Sequence, residues 1–155
     1  MTSKNKLVAC FKALGIDPHM ETFSDRKIMQ KLVYLLQRFG VNLKFGYSWY
    51  LHGPYSPDLT RLLFEIVAKT ALPENLDHTE LAKIQKLKSF LGDELRSSDK
   101  LELIVSIDYL KRYARKIGAS ERQILDVLKQ QKPYFTGQDI GESWRKAEEL
   151  DEIAR

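Results

Sequence analysis

The residues best suited to chemistry lie in one short stretch, YSWYLHGPYSPDL, from Tyr47 to Leu59. His52 there neighbours Tyr50, Tyr55, Ser56 and Asp58. A histidine works as a general base when a hydrogen-bonding partner orients its ring, and Asp58 is the local candidate. Asp58 has a simpler role at the first turn of a helix, so the pattern favours a structural or partner-binding role for His52 over catalysis. Two groups of cations are the other candidates. Lys27, Lys31, Tyr34 and Arg38 are spaced i, i+4, i+7 and i+11. At 100° per residue they share a helical sector of about 60°, opposite Ile28, Leu32, Leu35 and Phe39. This stripe reads either as a solvated face or as a surface for phosphate or peptide contacts. The segment KRYARK places Lys111, Arg112, Arg115 and Lys116 together, where cations stabilise a helix end and can also form a basic patch.

Other chemistry is missing from the pattern. No phosphate-binding glycine loop, H-E-x-x-H, C-x-x-C or G-x-S-x-G motif occurs. His19, His52 and His78 lie far apart without metal-ligand spacing, so neither a metal nor a cofactor is expected.

The 155 residues fit a single domain, 1–155, long enough to bury one real core. Net charge is +4 and unevenly spread: residues 1–70 carry ten Lys/Arg against five Asp/Glu, and the remainder is close to balanced. A mild basic bias permits an acidic partner, nucleic acid included, without demanding one. The single cysteine, Cys10, sits in the apolar run LVACF and reads as a buried thiol in a reducing compartment. No stretch approaches the ~20 apolar residues of a membrane helix. Lys12 interrupts the first apolar run too early for a signal peptide, so a cytoplasmic location is expected.

Helical periodicity dominates the elements that must position these residues. A short helix covers residues 3–14 and stops at Gly15. A second begins near Ser24 and stops at Gly40. Period two then takes over: Phe45, Tyr47, Trp49 and Leu51 alternate with Gly46, Ser48, Tyr50 and His52, which predicts a strand ended by Gly53-Pro54. Ser56 at N-cap, Pro57 at N1 and Asp58 behind it predict a third helix. Four further helices are expected after Asp77, after Ser98, after the capping box of Ser120 and Gln123, and after Thr136. The strand needs a partner for its backbone groups, and the best local candidate is the extended piece at residues 70–76. The expected fold is therefore mainly α, a compact domain of about six to seven helices with one small β element. The alternation turns Trp49 inward and leaves Tyr50, His52 and Tyr55 on the far side or in the turn. Aromatics with a polar tip, held on a rigid strand, suit a protein interface.

The segments RKIMQKLVYLLQRFG and YSWYLHGPYSPDLTRLL resemble the SocA-like, or Panacea, antitoxin family and its YwgA-like relatives. The later segments LELIVSIDYLKR and ILDVLKQQKPYFTGQDIGESWRKAEEL look like the C-terminal part of that group, so the likeness spans roughly residues 24–150. The H-G-P-x-S-P block, His52 to Pro57, is its most specific part. The resemblance implies a mostly helical domain that works by binding, as an antitoxin neutralising a partner toxin or as an adaptor delivering a client to a protease. By position it carries over Gln30, Lys31, Tyr34, Trp49, His52, Gly53, Pro54, Ser56 and Pro57, with no catalytic residue among them. The expected partner-binding set is Gln30, Lys31, Tyr34, Tyr50, His52 and Tyr55. Trp49, Gly53, Pro54, Ser56 and Pro57 are the structural motif, and Lys27, Arg38, Lys111, Arg112, Arg115 and Lys116 form the possible basic patch. The reading is a non-enzymatic protein-binding module. A nucleic-acid-binding regulator with a winged-helix-like portion is the alternative.

Overall fold

The structure is a computed structural model that describes residues 4–68 and 73–154. Seven α-helices and one hairpin make up the described chain: α1 (Lys4–Leu14), α2 (Phe23–Arg38), β1 (Ser48–Tyr50), β2 (Gly53–Tyr55), α3 (Pro57–Ala68), α4 (His78–Leu91), α5 (Ser98–Ile117), α6 (Glu121–Gln131) and α7 (Gly137–Ile153). A 3-10 turn, Gly92–Arg96, joins α4 to α5. The mainly helical class with one small β element is what the periodicity predicts.

The caps show why the helices begin where they do. Ser120 and Gln123 close a reciprocal capping box, as do Thr136 and Asp139, and the Asp77 carboxylate accepts from the Glu80 amide. Two starts differ from expectation. α2 is capped by Thr22 with Asp25, not by Ser24, because the pair Thr22 and Asp25 satisfies two orphan donors at once. α5 is capped by Ser97, one residue before the expected Ser98.

Two helices form the centre. Every residue from Met29 to Leu36 of α2 is buried, and so is every residue from Leu101 to Asp108 of α5. A helix buried all round has neighbours on every side. α3 and α4 cover α2, α1 packs on both of them, and together they build the larger apolar cluster around Phe11, Leu32, Leu36, Leu63, Leu87 and Ile104. α6 and α7 close a smaller cluster against α5, with Leu103, Ile107, Ile124, Leu128 and Ala147. The polar residues of α2 and α5 that face each other are therefore inside the protein.

The strand is corrected in three ways. It is short, Ser48–Tyr50, and its partner is the next segment of chain: Ser48 pairs with Tyr55, Trp49 with Pro54 and Tyr50 with Gly53. A two-residue turn, Leu51-His52, joins them, so Gly53 and Pro54 lie in β2 rather than in the turn. The expected partner segment falls partly on residues 69–72, outside the described residues, and the described 73–76 are not a strand. Alternation holds for Phe45 and Tyr47, which pack on the core, while Trp49 is half-buried outside both clusters and stacks on Tyr109. It fails at Leu51, 74% exposed at the hairpin tip. α3 begins as read, with Ser56 at the cap and Pro57 first in the helix.

Candidate functional site

The hairpin and the segment leading into it are held on α2 by Gln30, Lys31 and Gln37. Gln30 grips Ser56 from both ends of its amide: its nitrogen donates to the Ser56 carbonyl at 3.0 Å and its oxygen accepts from the Ser56 amide at 3.0 Å. Lys31 Nζ donates to the Pro54 carbonyl at 2.6 Å. Gln37 makes the same two-way grip on the backbone of Phe45, at 3.1 and 2.7 Å. The Tyr47 hydroxyl donates to the Gln30 carbonyl at 2.8 Å. Residues 30, 31 and 37 share one side of a helix, so they can hold a strand laid along it. Gly53 completes the fit. Its φ is +90°, and a β-carbon there would collide with the Ser106 hydroxyl of α5.

The basic stripe is thus internal, which corrects the reading of a solvated or displayed face. Gln30, Lys31 and Tyr34 are buried, so none of them is displayed on the surface. The physical cause is a pair of carboxylates on α5. Asp108 accepts from the Tyr34 hydroxyl at 2.6 Å and from Arg38 at 2.9 and 3.0 Å. Glu102 accepts from Lys27 at 2.7 Å, from Lys132 at 2.6 Å and from the Tyr134 hydroxyl at 2.6 Å. Both carboxylates are buried. Neither was among the candidate residues. Their sequence signal is two acids in the otherwise apolar run LELIVSID.

Burial opposes the charge on Glu102, but hydrogen bonds from Lys132, Lys27 and Tyr134 outweigh it and hold the carboxyl below its ordinary value. Burial also lowers Lys132, against the pull of Glu102. Lys31 is lowered furthest, to about 7: burial disfavours its charge, and the ammoniums of Lys132 and Lys27 add to this against Glu102. Tyr34 is pushed up by burial and by Asp108.

What remains outward is apolar. Phe23, Tyr50, Leu51, His52 and Tyr55 surround a cleft of about 290 Å³ whose floor includes Gln30, Lys31 and Gly53. Tyr50 is 47% exposed and Phe23 49%. The Tyr50 and Tyr55 rings meet edge to face at 5.2 Å, and Phe23 meets His52 at 4.6 Å. His52 Nδ1 lies 3.6 Å from Glu102 Oε1 and has no hydrogen-bond partner among the described residues. The carboxylate facing His52 is therefore Glu102. Asp58, the expected orienter, pairs with Arg61 at the start of α3.

The second basic cluster does not converge with the first. Lys111 lies over the Trp144 ring at 5.2 Å, Arg115 pairs with Asp151 at 2.6 Å, and Arg112 reaches the phenol of Tyr34. Lys116 is exposed. Among the described residues no group of His, Cys, Asp and Glu could hold a metal ion, and no helix is long and apolar enough to cross a membrane. No family model, curated protein or solved structure matches the chain.

Proposed function

We propose that the protein is a non-enzymatic binding module of antitoxin or proteolytic-adaptor type, and that it holds its partner protein at the hairpin tip. The observation that carries this reading is a division of labour along the motif. Its polar residues Gln30, Lys31 and Gln37 are consumed in fixing the hairpin on α2. Its apolar and aromatic residues Tyr50, Leu51 and Tyr55 are left at the rim of a cleft, with Phe23 beside them. Rigid aromatic anchors around a pocket are what interface energetics favour, because little side-chain entropy is lost when a partner docks. The stripe of α2 offers nothing to phosphates, since Lys27, Lys31 and Arg38 are spent on Glu102, Pro54 and Asp108.

A photo-cross-linking residue at position 51 tests the reading, with one at Lys129 on α6 as the control. In native lysate, position 51 should capture a protein that Lys129 does not. That protein, purified, should bind the wild type and lose affinity at least about 30-fold with Tyr50→Ala, the scale of one anchor of ~2 kcal/mol. Co-expression should silence its toxicity or speed its proteolysis. The same captured set at both positions, or turnover of a small molecule lost with His52→Ala, overturns the proposal.

A further inference from the structure

A second recess, of about 600 Å³, opens where the end of α2, the segment entering β1 and the C-terminal half of α5 meet. Its volume falls in the range of small-molecule sites, roughly 300–1,000 Å³. One stripe of α5 dominates its wall. Tyr109, Arg112, Tyr113 and Lys116 are spaced i, i+3, i+4 and i+7, which puts aromatic rings and cations alternately on one face. Arg38 and Phe45 line the facing side.

The charge in the recess is unbalanced. Among the described residues no carboxylate lines it. Asp108 and Asp151 stand behind the wall: Asp108 is bonded by Arg38 and Tyr34, and Asp151 by Arg115 at 2.6 and 3.1 Å. Arg38 is neutralised in this way, but Arg112 and Lys116 have no carboxylate partner among the described residues. The negative end of α5 offsets only about half a charge. The rings are unequal too. Trp49 stacks on one face of Tyr109, at 5.9 Å and 28°, whereas Tyr113 is 52% exposed. An exposed phenol ring between Lys116 and Arg112, which among the described residues bonds only the Tyr34 phenol, suits a ligand that is both planar and anionic, since stacking on the ring and charge at the cations are independent contributions.

We infer that this recess is a nucleoside phosphate site, with Arg112 and Lys116 on the phosphate and the Tyr113 ring under the base. The site is separate from the hairpin cleft and does not depend on what docks there.

The test is titration of the full chain at low salt with three probes: guanosine 5′-monophosphate, ribose 5-phosphate and inorganic phosphate. The nucleotide should bind about tenfold more tightly than either ringless probe, the scale of one base–aromatic stack. Tyr113→Ala should erase that difference and leave the ringless probes unchanged. Lys116→Gln and Arg112→Gln should weaken all three, while Lys129→Gln on α6 changes nothing. Lys116 is exposed and bonds no other element among the described residues, so its variant folds and keeps the test decisive. Equal binding of all three probes, or nucleotide binding untouched by Lys116→Gln, overturns the inference. So does binding confined to single-stranded oligonucleotides, which would make the stripe a nucleic-acid surface instead.

Discussion

Glu102→Gln is the substitution with the most to reveal, because the carboxylate organises three elements at once. It keeps the side chain's size and removes one charge. Glu102 and Lys132 are each 0% exposed, and their 2.6 Å ion pair ties α5 to the end of α6. Lys27 is better placed to survive the change: it keeps Asp99 at 3.2 Å, a carboxylate in contact with solvent. The cost therefore falls on Lys132, left as a buried ammonium with no counter-charge. Breaking a buried pair from one side costs about 3–5 kcal/mol. A domain of this length loses about 2–4 °C of Tm per kcal/mol, so the midpoint should fall by roughly 6–20 °C. Calorimetry and urea unfolding at pH 7 measure both quantities. Adding Lys132→Met removes the orphaned charge and should restore much of the loss. The wild type also carries an acid limb. Glu102 titrates lower folded than unfolded, so its contribution is complete above the ordinary value of 4.5 and is lost as pH falls through the folded value. Glu102→Gln should lack that limb. A cost below about 1 kcal/mol, or a Lys132→Met effect that is the same in both backgrounds, would refute the coupling.

Three further outcomes are expected. Lys31 is lowered from 10.5 to about 7, so between those values the unfolded chain binds more protons and stability should rise with pH, by up to about 1.4 kcal/mol per unit; Lys31→Met should flatten that rise relative to wild type, and an unchanged slope would place the titration elsewhere. Gly53→Ala should destabilise by at least about 1–3 kcal/mol through its positive φ alone, and Ser106→Ala should recover part of the loss by removing the colliding hydroxyl; no recovery in chemical denaturation would mean the contact is not tight. Cys10 is fully buried and burial pushes its thiol up to about 11, so at pH 8 a thiol reagent should label it only as fast as the protein opens; rapid labelling under native conditions would contradict the packing of α1.

The sequence alone settled what depends on local free energy. Helix starts at Asp77, Ser120 and Thr136 were legible because a cap side chain and an amide three residues on bond each other whatever the rest of the chain does. The turn from the hairpin into α3 was legible for the same reason, since Ser56 and Pro57 act on their own backbone. Thr22 and Ser24 both have capping chemistry, and only the reciprocal bond between Thr22 and Asp25 separates them. The polar stripe of α2 is the instructive failure. Lys27, Lys31, Tyr34 and Arg38 have the period of a solvated face, and periodicity records only that polar residues share a side. What that side meets is decided by α5, some 70 residues away, where Glu102 and Asp108 supply the counter-charges that make burial tolerable. The same distance hid the site. Lys31 reads as a surface cation until α5 and the hairpin close over it, and Tyr50 and Leu51 become a cleft only once Phe23, from the start of another helix, stands opposite. Spacing along one helix is fixed by the backbone's pitch, whereas the pairing of charges and rings between elements exists only after the chain has packed.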